Sequence, residues 1–348
     1  MDSNRKKISG PLVLAGDVGG TKTYLGLFSR AGSTLEAVRH GGFVNSRYSG
    51  LEDILSVFIE KGEKIESACF GVACQIEGNR GEMTNLDWVV DGDNIARAFD
   101  IKRVELINDL VAIGWGVSLL GEGGTRVLQA GEKRAGNMAL IAAGTGLGEA
   151  ILFWDGTRHI PSASEGGHAD FAPATPAQAG LLGYLKEKHG GHVSYERVVS
   201  GPGIESIYAF LSRRRVGAEP RHLKEALVAG DLALAVSEEA MSGTDPVCKE
   251  ALDIFLAAYG AEAGNLALKS LPVGGLFVGG GIAPKILKAL EGPAFIEAFR
   301  DKGRFSGLLS RIPVHVIMND RTGLMGAARR AIAGPGGDDP VNKVTIRR

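Results

Sequence analysis

Short apolar runs alternate with polar or glycine-rich turns along most of the chain. Leu12–Ala15 and Leu25–Phe28 flank one such turn and read as a strand and its antiparallel partner. Ser67–Val72 and Val104–Ile107 read as further strands, and Leu110–Leu120 follows at once with apolar residues at helical spacing. Leu140–Ala143 and Ala150–Phe153 repeat the strand–turn–strand pattern of the N-terminus. Cys248–Leu271 reads as a long helix with Ala251, Ile254, Phe255 and Ala258 on one face, a core stripe expected to carry no chemistry. Gly275–Val278 and Val314–Ile317 read as late strands, and Gly323–Ala333 as a closing helix. Residues 1–10 form a polar arm, and the Pro/Gly/Asp-rich stretch from Pro335 reads as a flexible tail.

Strands alternating with helices place the chain in the α/β class. Gly20-Thr21 and Gly144-Thr145 each sit in a glycine-rich turn between two apolar strands. That echo is what two similar α/β domains would leave in a sequence.

Composition narrows the function. The 348 residues include 39 Lys+Arg and 40 Asp+Glu, a net charge of −1 that exerts no global pull on nucleic acid or an anionic membrane. Hydrophobic residues at 44% and charged residues at 23% exclude a wholly disordered chain. The 51 glycines are about double the usual share and follow no collagen period. Three cysteines exclude a disulfide scaffold, and without a C-x-x-C pair they offer no zinc site. They read as reduced thiols of a cytoplasmic protein, with Cys69 and Cys74 on opposite strand faces. The longest apolar stretch, Met138–Trp154, is interrupted by Gly144, Gly146, Gly148 and Glu149, so no membrane span is expected.

Three glycine-rich turns are candidates for chemistry. The first, Gly16-Asp17-Val18-Gly19-Gly20-Thr21-Lys22-Thr23, departs from a P-loop, because Thr21 stands where glycine must precede lysine and a strand follows instead of a helix. It reads either as a plain hairpin or as a turn whose N–H groups and Thr21 hydroxyl face phosphate oxygens. Asp17, at the strand end, suits a hydrated Mg2+. The second, Ala143-Gly144-Thr145-Gly146-Leu147-Gly148, lacks G-x-G-x-x-G spacing and leads into a strand, which argues against a dinucleotide fold. The third, Val278-Gly279-Gly280-Gly281-Ile282-Ala283-Pro284, lets a planar ligand lie against bare backbone, with a helix expected near Pro284.

In this order the segments LAGDVGGTKT (14–23), MTNLDW (83–88), INDLVA (107–112), AAGTGLGEA (142–150), EGGHADFAP (165–173), ERVVSGPGI (196–204) and GGLFVGGGIAP (274–284) resemble the bacterial glucokinase family of the sugar kinase/Hsp70/actin ATPase superfamily. EGGHADFAP and ERVVSGPG are the most specific, and the resemblance runs from Leu14 to about Ala333. It implies two ribonuclease-H-like (actin-like ATPase) α/β domains flanking a central cleft, a small one of 11–119 plus 319–334 and a large one of 120–318. By the same resemblance, ATP is held by Gly16, Asp17, Gly19, Gly20, Thr21 and Lys22 at the β/γ-phosphates. Gly144, Thr145 and Gly146 hold a second phosphate region, Gly279, Gly280 and Gly281 hold adenosine, and Asp17 holds Mg2+ through water. Related repressor/open-reading-frame/kinase (ROK) sugar kinases carry zinc-binding cysteines after the E-x-G-H segment. Here no cysteine follows His168 until Cys248, which points to the zinc-free branch.

Asn108, Asp109, Glu165, His168 and Glu196 are residue types that pair well with sugar hydroxyls. A site built this way rejects a wrong epimer by leaving buried polar groups unpaired. By spacing alone Asn108-Asp109 reads as a helix cap. The resemblance instead implies that all five residues contact glucose, with Asn85 lining the pocket and Asp109 as general base for the 6-hydroxyl. An ionised aspartate suffices for that task, because phosphoryl transfer is loose and catalysis is mostly positioning. The implied activity is ATP-dependent formation of glucose 6-phosphate, with domain closure on the sugar, in a homodimer. The alternatives are a kinase for another hexose or amino sugar, or a non-catalytic sugar sensor. An acid acceptor would call for arginine, which the pocket set lacks.

Overall fold

The computed structural model describes residues 12–83, 86–121, 123–215, 219–334, 341 and 343–346. The first apolar run belongs to β1 (Leu12–Val18), which pairs antiparallel with β2 (Lys22–Ala31), and β2 pairs antiparallel with β3 (Thr34–Val44). Strand alternation sends Leu12, Leu14, Leu25 and Leu27 to one core and Val13, Ala15 and Phe28 to another. With both faces covered, β1 is apolar from Leu12 to Ala15 instead of alternating with polar residues. β4 (Ile65–Val72) lies parallel to β1 on its other side. A small antiparallel sheet of β5 (Ile76–Glu77), β6 (Arg80–Glu82) and β7 (Val89–Asp91) precedes β8 (Arg103–Asn108), which adds parallel to β4.

A second sheet repeats this plan. β9 (Thr125–Gln129) lies at its edge, and β10 (Met138–Ala143), β11 (Leu147–Trp154) and β12 (His159–Ser164) form an antiparallel meander. β13 (Gly275–Gly279) and β14 (Val314–Ile317) then add parallel to β10, giving the order β12-β11-β10-β13-β14-β9. Finally β15 (Lys343–Thr345) returns to the first sheet beside β3 and completes the order β15-β3-β2-β1-β4-β8. The stretch read as a flexible tail therefore holds a strand, anchored by buried Val341 and Val344. The arm 1–10 lies outside the described residues.

The described residues fall into two compact units, one within Met1–Glu122 and Asn319–Arg348, the other within Gly123–Met318. The first has a core on each face of its sheet, and Cys74 and Cys69 fall on opposite faces as expected. β4 ends at Val72, however, so Cys74 reaches its core from the following loop and not by strand alternation. The closing helix, Thr322–Ala333, packs Leu324, Met325, Ala327, Ala328 and Ala331 into the Cys69 core. The second unit is built around the helix Pro246–Ser270, whose start is capped by Asp245. That helix is buried almost all round and not along a single stripe, and the buried residues include Tyr259 and Glu262.

Candidate active site

In the first unit β1, β4 and β8 are parallel, so their carboxyl ends share one sheet edge, where α/β folds bind ligands. Asp17 lies one residue before the end of β1, and Asp109 opens the helix Asp109–Val117 directly after β8. Some of the Asp17 residue is exposed, yet its carboxyl is enclosed. Burial first, and then the Asp109 charge, push its pKa up to about 7, while Arg321 draws it down and Asp320 raises it. The Arg321 guanidinium is held 4.3 Å over the Tyr24 ring.

Asn108 serves the helix as its cap, with its side-chain oxygen accepting the Leu110 N–H at 3.0 Å while its Nδ2 donates to the Cys74 carbonyl at 3.2 Å. The Asp109 carboxylate accepts the same Leu110 N–H at 2.9 Å. The cap reading of this pair is therefore part of its structure. Asn85 lies outside the described residues.

The β1–β2 turn carries Gly19, Gly20, Thr21 and Lys22, with Thr21 and Lys22 exposed. Gly16 is different, lying inside β1 where Phe70 and Leu25 fill the space a side chain would need. Asn45, which the sequence reading missed, braces the turn. It is fully buried, its Nδ2 donates to the Gly19 carbonyl at 2.8 Å, and its Oδ1 accepts the Thr23 hydroxyl at 2.8 Å. Its backbone N–H also donates to the Thr21 carbonyl at 3.0 Å. An asparagine following β3, a strand of mixed polar and apolar residues, gives no local signal, since its meaning depends on the β2–β3 register.

The donor set fits Mg2+ in one way. An enclosed carboxyl whose charge burial and Asp109 oppose gains from a cation, and Mg2+ takes one or two carboxylates plus water and phosphate oxygens. Among the described residues no three His, Cys, Asp or Glu are grouped to hold a metal by themselves.

The second unit gathers the other two turns. Gly144 N–H donates to the Gly146 carbonyl at 2.8 Å, and the Gly144 carbonyl accepts the Gly201 N–H at 2.8 Å. The capped start of the helix Gly201–Ser212 thus meets the β10–β11 turn, where Thr145 is exposed. Gly280, at φ +84°, packs against the Ala143 carbonyl, a conformation and a closeness that a side chain would forbid. Gly281 follows it and is exposed, while Gly279 is buried at the end of β13. The expected helix near Pro284 starts later, at Leu287, because residues 280–286 continue as turns. The buried Tyr259 hydroxyl accepts the Ala143 N–H at 3.2 Å and lies 3.4 Å from the Gly279 carbonyl, fastening the two turns together. The long helix, through Tyr259, thus supplies a polar tie beside the core stripe of Ala251, Ile254, Phe255 and Ala258.

The sugar candidates of this unit surround the start of β11. Glu196 Oε2 accepts the Leu147 N–H at 3.0 Å. Gly167 packs on the Leu147 carbonyl within the short turn Gly166–His168. Glu165 precedes that turn and His168 closes it, with side chains 76% and 58% exposed and 3.9 Å apart, so both are accessible to a ligand. The structure brings Glu165, His168 and Glu196 together here, and Asn108 and Asp109 together in the first unit.

A family model described as Glucokinase matches residues 14–333. A glucokinase of Synechocystis sp. (strain ATCC 27184 / PCC 6803 / Kazusa) is 42% identical over 341 residues, covering 90% of this chain and 96% of its own. One of Nostoc sp. (strain PCC 7120 / SAG 25.82 / UTEX 2576) is 41% identical over 334 residues, covering 91% and 98%. The chain belongs to the glucokinase family. It is an enzyme of the sugar-phosphorylating class to which that family belongs. The crystal structure of a glucokinase from an Antarctic psychrotroph matches with a TM-score of 0.79 at 29% identity, covering 94% of this chain and all (100%) of that one. A Streptomyces griseus ROK family glucokinase, solved with glucose and AMPPNP, matches with a TM-score of 0.62 at 21% identity, covering 93% and 100%, and shares the fold. The architecture is thus the mixed α/β fold of glucokinases and ROK kinases. No helix among the described residues is long and apolar enough to cross a membrane.

Proposed function

We propose that this enzyme transfers the terminal phosphoryl group of MgATP to the 6-hydroxyl of D-glucose, with Asp109 as general base. The observation that carries the reading is the pairing of Asp17 and Asp109 at one sheet edge, close enough that the charge of one shifts the titration of the other. One carboxylate suits the metal and the other the sugar hydroxyl. When bound, Mg2+ would neutralise charge on the transferring phosphate. Asp17 would orient it, and the N–H groups of Gly20 and Thr21 would donate to phosphate oxygens, the Gly19 N–H being held by the Lys22 carbonyl at 3.0 Å. Asp109 would accept the hydroxyl proton late, as the new O–P bond forms. Glu165, His168, Glu196 and Asn108 would pair the remaining sugar hydroxyls, and Gly144–Gly146 and Gly279–Gly281 would hold the rest of the nucleotide. Sugar binding would draw the two units together and exclude water, which suppresses ATP hydrolysis. The homodimer implied by the family resemblance belongs to this reading and is read by sedimentation.

The test is release of ADP from MgATP with a panel of hexoses. Glucose-dependent turnover is expected, falling by about a thousandfold or more in Asp109→Asn while glucose binding persists. Near-normal turnover in that variant would remove Asp109 from the base role. Turnover with a different hexose alone would overturn the acceptor. ATP hydrolysis as fast without sugar as with it would overturn the closure step.

A further inference from the structure

Glu149 and Glu262 form a buried acidic pair that the reaction scheme above does not use. Glu149 follows the second glycine-rich turn on β11, Glu262 lies on the helix Pro246–Ser270, and each is 1% exposed. Their carboxyls are in hydrogen-bonding contact. Glu149 Oε1 and Glu262 Oε1 receive no bond from any N–H or hydroxyl among the described residues. Two carboxylates cannot lie this way in a core, whereas a carboxylic acid and a carboxylate sharing one proton can.

The pair sits directly beneath the sugar candidates. Glu149 Oε2 occupies the space a side chain on Gly166 would need, so this carboxyl is the floor under the Gly166–His168 turn. Glu262 Oε2 accepts from Asn265 Nδ2 at 2.8 Å, and the same amide lies 3.3 Å from the hydroxyl of Tyr195, the neighbour of Glu196. Lys302 Nζ donates to Asn265 Oδ1 at 2.7 Å and fixes the amide's orientation. One polar network thus supports both segments that carry Glu165, His168 and Glu196.

We propose that the Glu149–Glu262 pair is a positioning element for sugar binding, holding the Gly166–His168 turn and the Glu196 segment in register through a shared proton. The inference rests on the sugar-site reading above. Other charged or titratable groups facing the pair are Lys269, 3.7 Å from Glu262 Oε1, then Lys302 with its neighbour Asp301, and the phenols Tyr195 and Tyr259. Burial raises both carboxyls, Glu149 to about 8, with the Glu262 charge adding to the rise. The two lysines act against it and keep one negative charge tolerable. At neutral pH the proton stays. Above about pH 8 it leaves, and two adjacent carboxylates push on the floor of the turn.

The experiment compares the parent enzyme with Glu149→Gln between about pH 6.5 and pH 9.5. The parent's KM for glucose is expected to rise about fivefold or more across the alkaline limb, with kcat and the KM for ATP changing less. Glu149→Gln keeps a neutral donor, so its glucose KM should stay near the parent's neutral value and lose the alkaline rise. Glu262→Gln, which removes the second charge, should flatten the profile as well and serves if the first variant fails to fold. Infrared spectra at pH 7 should show, beside the partly protonated Asp17, a protonated carboxyl band that Glu149→Gln removes. An alkaline rise of equal size in parent and variants, or no such band, would overturn the pair's role alone. A parent that binds no hexose at any pH while showing the band would overturn the sugar-site reading on which that role depends.

Discussion

At Asp17 the fold works against the charge that the proposed metal-holding role calls for. Its carboxyl titrates near 7 in the metal-free protein, against about 3.9 in an unfolded chain. Between about pH 4 and pH 7 the folded state holds the extra proton, so stability falls as pH rises through this window. Above about pH 7 the full penalty is present. Asp17→Asn removes the ionisable group and should melt higher than the parent at pH 8 in chelator. The gain is of order 2–4 kcal/mol once solvent screening is allowed for, and the gap should close toward pH 4. The variant should also lose turnover and the thermal stabilisation that MgATP gives the parent. Equal melting temperatures at pH 8 would show that the carboxylate carries no such penalty. On the proposed role, Asp17 is a residue kept for chemistry at the expense of stability.

At the level of elements, the proposed base, Asp109, is positioned by a helix crossing. Asp109 starts the helix Asp109–Val117, and that helix meets Thr322–Ala333 so closely that a Cβ on Gly326 would strike the Ala112 carbonyl. A Cβ on Gly116 would likewise strike the Thr322 carbonyl. Both clashes are with backbone, so no side chain can rotate away. Gly326→Ala should cost about 3 kcal/mol, the upper end for overpacking, and should lower kcat more than a surface change of equal stability effect. Denaturant melts and single-turnover rates check this, and a neutral effect would mean the helices separate freely. These two helices and the strands around them are legible in the sequence, because long apolar runs and helical spacing are local signals. Asn45, Tyr259 and Glu262 are not. Each looks like loop or core filler until strand pairing brings its partner, from 22 to well over 100 residues away, within hydrogen-bond reach. The strand β15 escapes for the same reason, since its apolar residues stand alone in a polar stretch and only β3 gives them a place.

On the scale of the whole molecule, the echo between Gly20-Thr21 and Gly144-Thr145 becomes a repeated plan, a three-strand meander joined to two parallel strands in each sheet. The repeat is legible because each copy opens on the same turn. How the chain closes is less so. The second unit is continuous in sequence, with its core drawn from residues between Ala139 and Val316. The first is split, and its Cys69 core takes five residues from the last helix. Ser67 Oγ donates to the Ala331 carbonyl at 2.7 Å, and Arg330 makes a two-pronged pair with Glu105 at 2.7 and 3.1 Å. Removing that helix strips one face of β1 and β4 and takes away the partners of Ser67 and Glu105. Water replaces them, so each lost bond costs about 0.5–1.5 kcal/mol on top of the exposed apolar face. A chain ending at Met318 should therefore keep native hydrogen-exchange protection in β10, β11 and the Pro246–Ser270 helix. It should lose protection in β1, β4 and β8, and lose turnover with them. Uniform loss in both units would mean the second cannot hold its fold without the first. Full protection in β1 and β4 would mean that the closing helix is an accessory to a sheet that stands by itself, and the placement of Asp17 and Asp109 would then need another cause.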